Sequence, residues 1–118
     1  FNRNYFERMI HHEIFHMIDN SFPELFKKNK WSKLNNKDFS YASCSTCTDL
    51  LGLDLEITKG FLTEYSMSTA EEDMAEIYSL LKTNFKEIDL LIKKDNILTK
   101  KKNFLINGLK EIDEKFIF

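Results

Sequence analysis

From Asn2 to about Asn20 the apolar residues Phe6, Met9, Ile10, Ile14, Met17 and Ile18 recur at helical spacing, and Phe15 widens the surface they make. Turned at about 100° per residue they cover well over half of the circumference, which predicts a helix buried on most sides. Pro23 ends it, and Pro23-Glu24-Leu25 is expected to open a short further turn. From Lys27 to Thr46 the chain is polar around Trp31, Leu34, Phe39 and Tyr41, a pattern that predicts a long irregular loop pinned by its aromatics. The run Thr48–Ile57 fits a short helix or a strand. Gly60 then marks a turn before a short extended piece that reaches Tyr65. Ser68-Thr69-Ala70-Glu71 has the form of a capping box with Ser68 as N-cap, opening a helix to about Lys86 with Met74, Ile77, Tyr78, Leu81 and Phe85 as its core stripe. An apolar cluster, Ile88–Ile92, and a last helix with Leu105, Leu109, Ile112 and Phe116 on one face complete the chain, the last helix weakened modestly by Gly108. Nothing repeats, and the expected fold class is mainly α with little strand.

Length and composition narrow this picture. A chain of 118 residues supports one domain with one hydrophobic core. With 42% apolar and 31% charged residues it is a globular composition, not a disordered one. The net charge of -2, with both signs mixed along the chain, leaves no electrostatic footprint for nucleic acid or anionic lipid. The basic run Lys100–Lys102 reads as a solvated helix end or turn. No apolar stretch approaches the roughly 20 residues of a membrane span, and the first residues lack a signal-peptide layout. The chain opens on Phe1 and enters a helical pattern almost at once, as a fragment or a processed product would. Cys44 and Cys47 form a single C-x-x-C in a polar stretch without the further ligand pair of a zinc knuckle. They read as two loop thiols, or as a small local disulfide in a secreted protein.

The chemistry lies in the first helix, where His12-Glu13-Ile14-Phe15-His16 is an H-E-x-x-H motif. Residues four apart lie one above the other on a helix, so both imidazoles can reach one metal ion while Glu13 stands beside them to handle a water. A catalytic zinc usually takes three protein ligands and keeps a fourth position open. The third cannot be a histidine further on, because none follows His16. Cys44 or Cys47 would serve chemically, and so would a carboxylate from another helix. Glu72 and Glu76, four apart and without a Lys or Arg three or four residues away on their own helix, supply such a carboxylate. Taken alone they are also what a solvated helix start looks like, since acids there are favoured by the helix dipole.

"HHEIFHMID" followed by "GFLTEYSMSTAEEDMAE" resembles the gluzincin metallopeptidases of the anthrax lethal factor-like group and related zinc-binding metallopeptidases of bacteria. In that group an Asp follows the second His by three residues, as Asp19 follows His16. A Tyr precedes the ligand Glu by seven, as Tyr65 precedes Glu72, and the ligand opens an E-x-x-x-E motif, as in Glu72–Glu76. Phe15 stands where these families often have a small residue. The resemblance implies that His12, His16 and Glu72 bind Zn2+, that Glu13 is the general base, and that Tyr65 stabilises the oxyanion. It implies further that Glu76 accepts a hydrogen bond from a ligand histidine and that Asp19 does likewise. It also implies a zincin-like α+β catalytic domain, residues 1–118 being that single domain or its C-terminal portion, with the β-sheet that gluzincins carry before the active-site helix largely absent from this chain.

The expected function is therefore a zinc metallopeptidase that hydrolyses peptide bonds through a metal-activated water. The expected partner is a peptide or protein substrate, without nucleic acid, and the resemblance favours a secreted or cell-surface location. The alternative is a non-catalytic zincin-like domain, its metal structural or lost, acting in protein interaction. Trp31, Phe39 and Tyr41 are expected to anchor the long loop in preference to lining a substrate cleft.

Overall fold

The computed structural model describes residues 3–118. Asn2, where the sequence pattern starts the first helix, lies outside the described residues. Helix α1 spans Arg3–Ser21, and a turn of 3-10 helix at Pro23–Leu25 follows it, as the proline requires. Helix α2, Lys28–Ser32, is a short element inside the segment expected to be wholly irregular. Strands β1, Leu55–Thr58, and β2, Phe61–Thr63, form a two-stranded antiparallel hairpin, so only the last three residues of the run Thr48–Ile57 are strand and the rest is irregular. Gly60 takes the turn with φ 87°, a left-handed conformation suited to glycine. Helices α3, Ala70–Thr83, α4, Phe85–Lys93, and α5, Asn96–Ile112, complete a mainly α architecture.

The core is built around α3. Met74, Ala75, Ile77 and Leu81 are fully buried against Phe15, Phe26, Trp31, Leu62, Ile88, Ile92, Leu98 and Leu105. Helix α1 packs chiefly against α3. Its expected burial on most sides does not occur: only His12, Phe15 and Asp19 are buried, while Ile10 and Met17 are 43% and 68% exposed. α1 lies on the outside of the fold and meets α3 with one face, so much of its broad apolar surface stays in water.

Three other expectations shift for local reasons. Ser68 is not the N-cap of α3, because its hydroxyl already donates to Tyr65 O at 2.6 Å within the preceding 3-10 turn, Tyr65–Met67. Thr69 caps instead, its Oγ1 accepting from the Glu72 amide. α3 stops at Thr83, since Asn84 leaves helical geometry with ψ 57°. Phe85 therefore belongs to α4, where it is 42% exposed, and not to the α3 core stripe.

The basic run is not a solvated end either. Lys101 is fully buried and Lys102 bridges to Asp89. Lys101 Nζ donates to Asp73 Oδ2 and to Gly60 O, each at 2.7 Å, and lies 3.9 Å from the centre of the Phe61 ring. The same Asp73 oxygen accepts from Tyr41 OH at 2.6 Å and Trp31 Nε1 at 3.1 Å. α5, α3, the hairpin turn and the long loop thus meet at one carboxylate, and Trp31 and Tyr41 act as anchors of the loop. Burial pushes the Asp73 carboxyl up and the Lys101 ammonium down from their ordinary values, while each charge opposes the other's shift.

Candidate metal centre

His12 and His16 stand one turn apart on the face of α1 that meets α3, and Glu72 stands in the first turn of α3. His16 Nε2 lies 2.6 Å and His12 Nε2 3.0 Å from the same oxygen, Glu72 Oε1, and the two ring nitrogens are 3.1 Å apart. These three atoms form the described group of His, Cys, Asp and Glu donors close enough to share one cation. Neither Cys44 nor Cys47 belongs to it. They form a disulfide in the loop, with Cys47 N donating to Cys44 O.

Glu76, one turn on from Glu72, is 1% exposed and places Oε2 3.0 Å from His12 Nδ1. If Nδ1 carries the proton of that contact, a neutral His12 presents a bare lone pair at Nε2, aimed at the equally electron-rich Glu72 Oε1. Such a cluster is short of positive charge. Burial lowers the His12 pKa, but the hydrogen bonds to Glu72 and Glu76 and their charges outweigh it and raise the imidazole to about 9. Glu72 shows the other side of the same interaction: burial pushes it up, while His12, His16 and Tyr65 hold it well below the usual carboxylate range.

A divalent cation answers that shortage of charge. Two imidazole nitrogens and a carboxylate oxygen are ordinary zinc donors, and a tetrahedral zinc with bonds of about 2.0–2.2 Å keeps its donors roughly 3.3–3.6 Å apart. The observed edges of 2.6, 3.0 and 3.1 Å would open by about 0.2 to 1.0 Å to reach that span, the largest change falling on the His16–Glu72 edge. The donor set therefore fits zinc in type and number, and its three atoms already converge on one point.

Tyr65 lies in the 3-10 turn just before α3, and its hydroxyl donates to the other Glu72 oxygen, Oε2. Burial, and then the Glu72 carboxylate, push the phenol well above its ordinary value, so it keeps its proton. The loop holding the disulfide is tied to this turn at both ends. Ala42 N donates to Ser68 O, Tyr65 N donates to Gly52 O, and Gly52 N donates to Glu64 Oε1. Glu13 is exposed on α1 between the two histidines in sequence.

Asp19 is not brought to a histidine. It is buried in the last turn of α1 with Oδ1 accepting from Lys28 Nζ at 2.7 Å, because the start of α2 lies against that end of the helix. His11 is half-buried, with its ring 6.4 Å from that of Tyr78. Sequence reasoning missed Arg8, whose Nη2 lies 2.9 Å from Glu76 Oε1, and Thr63, whose hydroxyl donates to the same oxygen at 2.8 Å. Arg8 precedes His12 by one turn, as His12 precedes His16, and that spacing was the available signal. A cleft of about 310 Å³ between Leu25, Phe104 and Gly108 shares no residue with the histidine cluster.

No curated protein and no solved structure matches the chain. A family model described as "Putative zinc-binding metallo-peptidase" matches residues 2–118. Nearly the whole chain is covered, the donor set fits zinc, and the protein belongs to this zinc-binding metallopeptidase family.

Proposed function

We propose that the protein is a gluzincin-type peptidase of the lethal factor-like kind, with His12, His16 and Glu72 as zinc ligands, Glu13 as general base and Tyr65 as oxyanion donor. The observation that carries this reading is the meeting of His12 Nε2, His16 Nε2 and Glu72 Oε1 around one point, from two helices that sequence distance alone would not bring together. Zinc, when bound, supplies a Lewis acid that polarises the scissile carbonyl and lowers the pKa of a water toward about 7.

The remaining roles belong to side chains. Glu13 follows a ligand histidine on the same helix and is exposed, so it would be open to the water that zinc activates. It takes the proton of the attacking water and delivers it to the leaving amine as the C–N bond breaks. Tyr65 retains its phenolic proton at neutral pH and donates it as a hydrogen bond to the negative charge that develops on the former carbonyl oxygen. Glu76 accepts from His12 Nδ1, which leaves Nε2 of that ring to the metal.

In this reading residues 1–118 are one metallopeptidase domain or the C-terminal portion of one, acting on a peptide or protein. The Cys44–Cys47 disulfide supports a secreted or cell-surface location, where oxidising conditions preserve such bonds. The test is zinc content together with peptide cleavage by the wild type and Glu13→Ala. The expected result is one zinc in both proteins and a loss of about 10²–10⁴-fold in cleavage for the variant. Zinc in both proteins without cleavage by either would identify a non-catalytic domain. Full activity of Glu13→Ala would remove the proposed base.

A further inference from the structure

Arg8, His12 and His16 occupy one line along α1, each four residues from the next, and that line faces Glu76 and then Glu72 on α3. The last two of the three touch the metal centre, whereas the first does not. Arg8 is nevertheless drawn in, with its side chain only 11% exposed and its Nε buried without a partner. A guanidinium is costly to hold there unless its charge is used.

Its contact explains the placement. Glu76 divides its two oxygens between separate tasks. Oε1 accepts from Arg8 Nη2 at 2.9 Å and from Thr63 Oγ1 at 2.8 Å, and Oε2 stands 3.0 Å from His12 Nδ1. Two donors on one oxygen fix the rotation of the carboxylate about its last bond, and the position of the second oxygen follows from it. The arginine also balances the charge of a carboxylate that is 1% exposed.

We propose that Arg8 is a positioning residue for the metal centre: with Thr63 it holds Glu76 so that His12 keeps one tautomer and one ring plane and presents Nε2 to zinc. This rests on the metal ligands proposed above. Thr63 reaches Glu76 from strand β2, so the hairpin, α1 and α3 all contribute to the orientation of one imidazole.

The experiment is zinc affinity, measured by competition with a chromophoric chelator at fixed pH, alongside circular dichroism and melting of the metal-free proteins. Arg8→Met is expected to keep the helical spectrum and to bind zinc about 10–100-fold more weakly than wild type. Arg8→Lys is expected to recover most of that loss, because the contact to Glu76 is made by a single nitrogen that an ammonium can replace. Should Arg8→Met fail to fold, Thr63→Val and Thr63→Ser carry the test: the first removes the hydroxyl on Oε1 and is expected to weaken zinc binding, and the second restores it. Zinc affinities of Arg8→Met and Thr63→Val within twofold of wild type would overturn the proposal, as would Arg8→Lys binding no better than Arg8→Met. A wild type that binds no zinc would overturn both this and the metal ligands it rests on, whereas tight wild-type binding with indifferent variants would overturn this inference alone.

Discussion

His12 sits between two carboxylates and so binds a proton more tightly in the folded protein than in the unfolded chain, at about 9 against 6.5. In metal-free protein the stabilisation from the His12 imidazolium is fully present below pH 6.5 and is lost as pH rises through 9. Glu72, depressed by the same contacts, contributes above its ordinary value of 4.5 and loses its contribution only on strong acidification. With His12 as a ligand, as proposed, zinc would compete for the nitrogen that the proton holds. Its apparent affinity is therefore expected to rise about tenfold per pH unit from 6.5 toward 9 and then to level, while the melting temperature of metal-free protein falls over the same interval. Chelator competition and calorimetric melts across that range check both slopes. The sequence was most informative where spacing along one helix brings side chains together, as for His12 and His16, whose Nε2 atoms lie 3.1 Å apart. Arg8 and Asp19 show the limit, because their partners Glu76 and Lys28 are set by packing between elements that periodicity does not describe.

Among the elements, α3 and α5 show how a close contact overrides propensity. Gly108, a weak helix former by sequence, packs against Phe26 so tightly that an added Cβ would lie 2.5 Å from its Cε1. Alanine is better than glycine inside a helix by about 1 kcal/mol. Yet Phe26 is fully buried beneath α5, so the ring cannot swing into solvent to make room. Gly108→Ala is accordingly expected to destabilise the protein, by about 1–3 kcal/mol as overpacking does, and denaturant unfolding will show the sign. The start of α3 was legible to within one residue, but the cap moved from Ser68 to Thr69 because a hydroxyl cannot also cap when it already closes the previous turn. The breadth of the apolar stripe on α1 misled for a similar reason. A hydrophobic pattern tells which faces can be buried, and the number of neighbouring elements decides how many are.

Over the whole molecule, two charged clusters tie together segments far apart in sequence. One is the candidate metal centre with Arg8, Thr63 and Glu76. The other joins Asp73 to Lys101, Trp31, Tyr41 and the Gly60 carbonyl, and it lies one residue from Glu72 in sequence. Lys101 and Asp73 are both fully buried, so removing the cation leaves an uncompensated carboxylate in the interior. Lys101→Met is expected to cost about 3–5 kcal/mol in urea unfolding, far more than the same change at exposed Lys100. Neither charge stood out in the sequence, since Lys101 lies in a basic run and Asp73 in an acidic one. Their mutual burial is a product of topology.

In the proposed site Glu72 completes a metal centre begun by the two histidines. Zinc bound per chain, measured by atomic absorption after dialysis of wild type and Glu72→Ala, tests it most directly, with circular dichroism showing that the variant remains helical. The expected result is one zinc per wild-type chain and none retained by folded Glu72→Ala. Equal zinc in the two proteins would contradict it.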